Sequence, residues 1–170
     1  LAGTIHGDAG AVFFTLDGAT QSAVDYPHVF GRRVPVVIEE LRVAVMQDDD
    51  RVRIEAWPLR LRGEGFALAG FAAGELREGG PPLVDLGIEV FRSNIVAAKD
   101  FWPLNTMPAR TVRWLNDGLK SGSIDSGHAI LRGHPVDWPF TDQQGRFEAV
   151  ANVADVDLHY AEGWPDGRLH

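Results

Sequence analysis

The chain has 170 residues, of which 45% are hydrophobic and none is cysteine. This length suffices for one domain with a substantial core, and the absence of cysteine excludes a disulfide framework and a thiol nucleophile. The formal net charge of −8, without a clustered basic stripe, argues against nucleic acid as a partner and against electrostatic docking onto anionic lipid head groups.

Two short strands are predicted at the start of the chain, at residues 4–6 and 12–16, where β-branched and aromatic residues are flanked by glycine and aspartate. Residues 19–34 show neither strand nor helix periodicity. We therefore predict an irregular segment there, with a short helical turn around Val29.

Alternation of apolar and polar residues predicts a hairpin in the next segment. The alternation begins at Val36, stops at the acidic turn of residues 47–50, and returns through Ala56. Trp57-Pro58 is predicted to bend the chain before the pattern continues to Leu61.

Two further strands follow this hairpin. Residues 66–71 are apolar on both faces, so this strand is predicted to be covered on both sides or to lie centrally in the sheet. Residues 84–90 alternate clearly, with Asp85 and Glu89 opposite the apolar positions. Nine apolar side chains of these strands are candidates for one continuous face: Leu41, Val43, Val45, Val52, Ile54, Val84, Leu86, Ile88 and Val90.

The main helix is predicted at Ala109–Ser121. Pro108 suits the first turn of a helix, and Gly122 is the expected stop. A shorter helical turn is predicted within residues 95–101. Three apolar side chains recur at helical spacing and are expected to pack on the sheet: Val112, Leu115 and Leu119.

The last third of the chain is predicted to return to strands. A strand at residues 126–133 leads to a rigid corner at Trp138-Pro139-Phe140, and a long strand spans residues 147–160. The apolar positions of this strand switch parity, which predicts a β-bulge near Ala154 that curves the sheet toward a trough.

No fixed-period repeat or flexible linker divides the sequence, so residues 1–170 are interpreted as a single domain. The predicted fold is mainly β with one amphipathic helix: a curved, mostly antiparallel sheet forms a groove, and the helix Ala109–Ser121 packs on it. Because Leu1 is preceded by neither an initiator methionine nor a signal segment, we expect a fragment of a longer protein. The longest apolar run, residues 66–74, is shorter than the roughly 20 residues of a membrane-spanning helix.

The segment of residues 101–165 carries a family resemblance. Its proline-rich entry (FWPLNTMP), helix (RTVRWLNDGLKSG), strand (HAILRGHP), corner (WPF) and the segment GRFEA resemble the central domain of YhdP-type, AsmA-like envelope proteins of Gram-negative bacteria. The match extends through YAEGWP and, more loosely, over the upstream strands.

This resemblance implies a β-taco-like groove in the periplasm, within a protein anchored to the inner membrane outside this chain. It also implies a part in phospholipid transport between the inner and outer membranes and in outer-membrane homeostasis. The partners implied are phospholipid acyl chains and neighbouring segments of the same protein, and no cofactor is expected.

Candidate metal ligands have simpler interpretations. Asp155, Asp157 and His159 alternate along one strand, but a metal site needs a converging set that a single strand cannot supply. A solvated face is the better interpretation. His128 and His134 fit no metal-binding motif and are interpreted as surface or turn residues.

Candidate catalytic groups are equally weak, and we do not expect an enzyme. Asp125, Ser126 and His128 cluster in sequence without a G-x-S-x-G elbow. Asp85 and Glu89 would lie about 13 Å apart on a strand, beyond the separation of paired glycosidase carboxylates. Gly63-Glu64-Gly65 lacks the third glycine and the helix of a dinucleotide loop, and the aspartates at 48–50 lack the remaining features of a calcium loop.

Five tryptophans lie beside proline or in the predicted helix: Trp57, Trp102, Trp114, Trp138 and Trp164. We interpret them as rings that lock corners of the fold, with sugar-stacking platforms as the alternative.

Two functions remain open from the sequence. In the first, the nine apolar side chains line an open trough that conducts lipid, and no catalytic residue is needed. In the second, the same side chains form the closed core of a sandwich, and the chain is a non-catalytic structural or interaction module of the cell envelope. A hydrolase acting on envelope polysaccharide is a distant third.

Overall fold

The computed structural model describes residues 2–25, 27, 31–48, 50–102, 107–159 and 167–169. The predicted turn at Val29, the end of the last long strand at Tyr160, and Trp164 lie outside these residues.

The described residues form ten strands and two α-helices. The strands are β1 (Gly3–Gly7), β2 (Ala11–Leu16), β3 (Thr20–Val24), β4 (Val34–Asp48), β5 (Arg51–Gly63), β6 (Phe66–Arg77), β7 (Leu83–Asn94), β8 (Leu119–Gly133), β9 (Arg146–Leu158) and β10 (Gly167–Leu169). The helices are α1 (Ile95–Ala98) and α2 (Ala109–Gly118), with 3-10 turns at Lys99–Phe101 and Pro135–Asp137. The helical turn predicted within residues 95–101 is thus confirmed.

All strands belong to one antiparallel meander in the order β1-β2-β4-β5-β6-β7-β8-β9-β10, with β3 also paired to β4. Strand β5 pairs with one edge of β4. Strands β2 and β3 both pair with the other edge, and their registers against β4 differ by one residue. The outermost strands β1 and β10 do not pair, so the sheet is not closed, and it is not strongly curled. The fold is mainly β as predicted, whereas the groove stays a prediction.

Strand β6 lies in the middle of this order. Both of its edges are paired, one with β5 and the other with β7. The central position predicted for residues 66–71 is confirmed.

Two bulges keep apolar side chains on the same face. Between its paired residues Ala56 and Leu59, β5 has two residues, Trp57 and Pro58, where β4 and β6 each have one. At Asp155, where φ is 52°, β9 carries an extra residue opposite Ser121–Ser123. The parity switch predicted near Ala154 is confirmed, because Val156 and Leu158 pack in a buried cluster that also contains Ile124.

The predicted boundaries of the main helix were wrong at its end. Helix α2 stops at Gly118, and Leu119 already pairs with Leu158 as the first residue of β8. The amide of His159 donates to the carbonyl oxygen of Gly118 at 2.7 Å, so pairing with β9 replaces the last turn of the helix. Gly122, with φ 139°, lies within β8 opposite the bulge of β9 and is not a helix stop.

The irregular segment predicted at residues 19–34 was also wrong in part. Thr20–Val24 forms β3 and pairs in register with residues 34–38 of β4. Its sequence, TQSAV, lacks strong alternation. The neighbouring edge of β4 supplies hydrogen-bond partners that local sequence does not reveal.

The sheet forms a single layer for most of its area. The chain exposes 11428 Å², compared with about 8200 Å² expected for a compact protein of this mass. Two small buried clusters lie near α1 and the 3-10 turn that follows it: one contains Val34, Val36 and Phe66, and the other contains Ile95, Ile124 and Val156. Burial is therefore concentrated at one end of the sheet.

Replacing Gly122 with alanine is expected to destabilise the fold. Its φ of 139° disfavours a side chain, and an added Cβ would lie 3.1 Å from the Cα atom of Val156. We expect a loss of about 1–3 kcal/mol in the free energy of unfolding, measured by urea denaturation. The matched control is Gly74→Ala in β6, where an added Cβ meets nothing within 4 Å. Equal midpoints for the two variants would contradict the strained geometry at Gly122.

Candidate functional site

The strand register places all nine sequence-predicted lining residues on one face of the sheet. Three rows show this: Val45–Ile54–Gly74–Val84, Val43–Ala56–Ala72–Leu86 and Leu41–Leu59–Gly70–Ile88. Val52 pairs with Leu76 beyond the first row, and Val90 pairs with Leu68 beyond the third. We call this surface the apolar face.

The apolar face extends beyond the nine predicted residues. On one side, Val12 and Phe14 of β2 continue the rows of Val45 and Val43. On the other side, Leu131 and Phe147 continue the row of Leu86. Alternation within β2, β8 and β9 would have identified these residues, but sequence alone does not show which strands are neighbours.

The middle of the apolar face is not covered by a second layer of described residues. Val45 is 36% exposed and Ile54 is 39% exposed, and most of the other lining side chains are half-buried by their neighbours in the sheet. Of the nine, Val90 is the one that packs against a buried cluster. Along β6, the floor of this face is made of the small residues Gly70, Ala72 and Gly74.

The opposite surface, which we call the polar face, carries charged residues. Its ion pairs include Arg53–Glu55 at 2.6 Å, Arg62–Glu39 at 2.7 Å and Arg132–Asp85 at 3.9 Å. The salt bridge to Arg146 lowers the pKa of Glu148 on this face. Exposed pairs of this kind contribute little stability each, but they keep this face hydrated.

A helical segment covers one end of the apolar face. We call residues 95–101, which comprise α1 and the following 3-10 turn, the helical strap. Its Ile95 is 6% exposed, and its Phe101 ring lies edge-on to Phe66 with centroids 4.7 Å apart. The sequence predicted this helical turn without revealing that it covers the sheet.

Helix α2, which we expected to pack on the sheet, makes a smaller contribution. Val112 and Leu115 are half-buried, while most of the helix is exposed. Leu119, the third predicted packing residue, belongs to β8 and packs against the cluster of Ile95, Ile124 and Val156. The helix contacts β8 but leaves the middle of the apolar face open.

Polar contacts hold the helical strap in place. Arg32 forms a bidentate ion pair with Asp100. The Nζ of Lys99 donates to the carbonyl oxygens of Asn116 at 3.0 Å and Leu119 at 2.5 Å. No local sequence pattern marks these contacts, because the partners are far apart in the chain.

Two shallow depressions lie on the polar face. The larger, of about 500 Å³, is lined by residues that include Trp57, Phe71, Glu89 and His128. The smaller, of about 290 Å³, lies beside Phe91 and Asn152. Because aromatic rings alternate there with charged groups, these depressions suit an acyl chain less well than the apolar face does.

The tryptophans do not share one role. Trp57 is 66% exposed at the edge of the larger depression, so it does not fill a core. Trp138 does lock a corner, because its ring contacts Phe140 and Phe147 edge-on at 5.5 and 5.2 Å. The sugar-platform alternative therefore concerns Trp57 more than Trp138.

The candidate catalytic residues lie apart or have structural partners. Ser126 Oγ accepts a hydrogen bond from Asn152 at 3.0 Å, and Asp85 faces Arg132. Gly63-Glu64-Gly65 is the tight connection between β5 and β6, with no helix after it.

The bulge at Asp155 breaks the alternation that suggested a metal site on β9. Among the described residues, no three histidine, aspartate or glutamate side chains are grouped closely enough to hold a metal ion. None of the described helices is both long and apolar enough to cross a bilayer.

Comparison with known proteins identifies one family. The chain matches the YhdP protein family over residues 1–166. Neither the curated proteins nor the solved structures contain a significant match to it.

The pKa of Lys99 is expected to make stability rise at alkaline pH. Burial, and then the charge of Lys120, lower this pKa. At pH values between the lowered pKa and the usual lysine pKa of about 10.4, the unfolded chain therefore binds more protons than the folded chain. Stability contributed by Lys99 therefore increases as pH rises through that window. Urea unfolding of the native chain and of Lys99→Met across this range should show a difference that grows in favour of the native chain.

An NMR titration of lysine side chains tests the same prediction directly. Lys120→Met is expected to raise the pKa of Lys99, because it removes a like charge. An ordinary lysine pKa at Lys99, unchanged in Lys120→Met, would contradict the buried geometry of the helical strap.

Proposed function

Because the chain belongs to the YhdP protein family, we propose that it is a segment of a periplasmic apolar groove that takes part in phospholipid transport between the inner and outer membranes and in outer-membrane homeostasis. The observation that carries this proposal is the apolar face. Its strands align apolar side chains in continuous rows, and no second layer of described residues covers the middle rows.

The energetics favour an acyl chain as the occupant. Exposing an acyl chain to water has an unfavourable free energy of about 0.8 kcal/mol for each methylene. A continuous apolar surface removes most of this barrier to movement, and it requires neither a catalytic residue nor a cofactor. The same contact removes exposed valine and isoleucine side chains, such as Val45 and Ile54, from water.

The curvature of the groove is also part of the proposal. Bulges at Trp57-Pro58 and Asp155 interrupt the regular pleat, and bulges bend strands and increase their twist. We propose that the sheet curves around the lipid, with the polar face outward. The charge of −8 then lies largely away from the acyl chains.

A second candidate is an interaction module of the envelope, favoured by the edge of the sheet. Within the described residues, β10 pairs only with residues 156–158 of β9. The outer edge of β9 over residues 146–155 has no described strand beside it, and such an edge can pair with another segment. Neighbouring segments of the same protein are the proposed partners.

Lipid extraction from vesicles tests the first proposal. The purified chain is mixed with vesicles that contain a fluorescent phosphatidylethanolamine and is then separated from them. We expect the native chain to retain lipid. Val45→Asp and Ile54→Asp are expected to lose about ten- to a hundredfold in lipid binding, because each places a carboxylate against the acyl chain.

Val150→Asp is the matched control. Val150 is 50% exposed and lies on the polar face, opposite His128. We expect this variant to bind lipid like the native chain. Circular dichroism checks that all three variants fold. Equal binding by all variants, or equal loss in Val150→Asp, would count against lipid binding on the apolar face, and a folded chain that binds no lipid but associates through β9 would favour the second candidate.

A further inference from the structure

The helical strap closes the apolar face at one end of the strands. It spans the sheet, because Phe101 packs with the cluster of Val34, Val36 and Phe66, and Ile95 packs with Ile124 and Val156. These residues lie at the start of β4, β6 and β8 and at the end of β9. The row of Ile38, Leu68 and Val90 borders this cover.

The helical strap is fixed at both ends. At its start, the amide of Asn94 donates to the Gly65 carbonyl oxygen at 2.6 Å, and its Oδ1 accepts from the Val96 amide at 2.7 Å. At its end, Asp100 is paired with Arg32, and Lys99 donates to the carbonyl oxygens of Asn116 in α2 and Leu119 in β8. A segment held by these contacts acts as a wall.

The opposite end of the strands has a different character. We call it the hairpin end, because the connections β4–β5, β6–β7 and β8–β9 lie there. On the apolar face at this end, Val45 is 36% exposed, Ile54 is 39% exposed and Leu76 is 45% exposed. This end of the apolar face is therefore open to water, as the site of a lipid head group must be.

The distance between the two ends suits one acyl chain. Six residues separate Val84, near the hairpin end, from Val90, beside the helical strap, which corresponds to about 20 Å along a strand. One leaflet of a bilayer is about 15 Å deep in hydrocarbon, half of the full core. An acyl chain parallel to β7 therefore fits between the helical strap and the hairpin end.

We infer that the helical strap is an end wall that orients the lipid: the methyl end of the acyl chain lies against Leu68, Val90 and Phe101, and the head group lies at the hairpin end. This inference rests on the proposed lipid-binding function. Phe101 and Ile95 act as positioning residues, since they set how far the chain reaches along the strands.

Photo-crosslinking maps this orientation in the native chain. Two phosphatidylethanolamines are compared, one with a diazirine at the methyl end of the acyl chain and one with a diazirine next to the carbonyl. We expect the first probe to label residues around Leu61, Leu68 and Val90, and the second to label residues around Val45, Ile54 and Val84. A reversed pattern, or the same pattern for both probes, would overturn the inference, while the absence of labelling would overturn the proposed function as well.

A series of lysophospholipids of increasing acyl length tests the wall itself. Affinity is expected to rise about fourfold for each methylene and to level off when the methyl end reaches Phe101. Phe101→Ala should move this limit to longer chains. Phe91→Ala, which removes an exposed ring from the polar face, should leave it unchanged. An unchanged limit in a folded Phe101→Ala, or a limit shared by both variants, would overturn the role of the helical strap.

Discussion

A one-layer sheet has two faces, and an apolar face without a partner layer is unfavourable in water. This constraint underlies the structure. The meander aligns the strands so that, in the middle rows of the apolar face, each apolar position of one strand lies beside an apolar or small residue of the next. The two buried clusters satisfy this constraint at one end of the sheet only. The rest of the apolar face needs a partner that the described residues do not provide.

Much of this arrangement follows from the alternation in the sequence. Since side chains of a strand point to opposite faces in turn, the pattern at Val84, Leu86 and Ile88 was sufficient to assign them to one face. The same reasoning identified the bulge near Ala154, because a switch in parity has no other simple cause in a strand. Alternation does not reveal whether a face is covered, and the sequence therefore left open both the trough and the sandwich.

The remaining features depend on contacts between distant parts of the chain. Strand β3 forms because β4 offers it an edge, and α2 ends at Gly118 because β9 pairs with Leu119. Periodicity within Ala109–Ser121 is compatible with a longer helix, but backbone pairing with a neighbouring strand outweighs one helical turn. The ion pair of Arg32 with Asp100 joins residues 68 positions apart. No local signal marks such a pair.

In the proposed function, the segregation of charge decides which face the lipid uses. Arg53, Arg62 and Arg132 lie with their acidic partners on the polar face, and an acyl chain placed there would separate these groups from water. Desolvating an ion pair is unfavourable even when the pair stays intact. The same ion pairs contribute little to stability, so their physical effect is to exclude apolar partners from one side of the sheet. In the proposed function, this acidic chain therefore binds its lipid through the uncharged side, with the helical strap closing one end of that side and the hairpin end leaving the other end open.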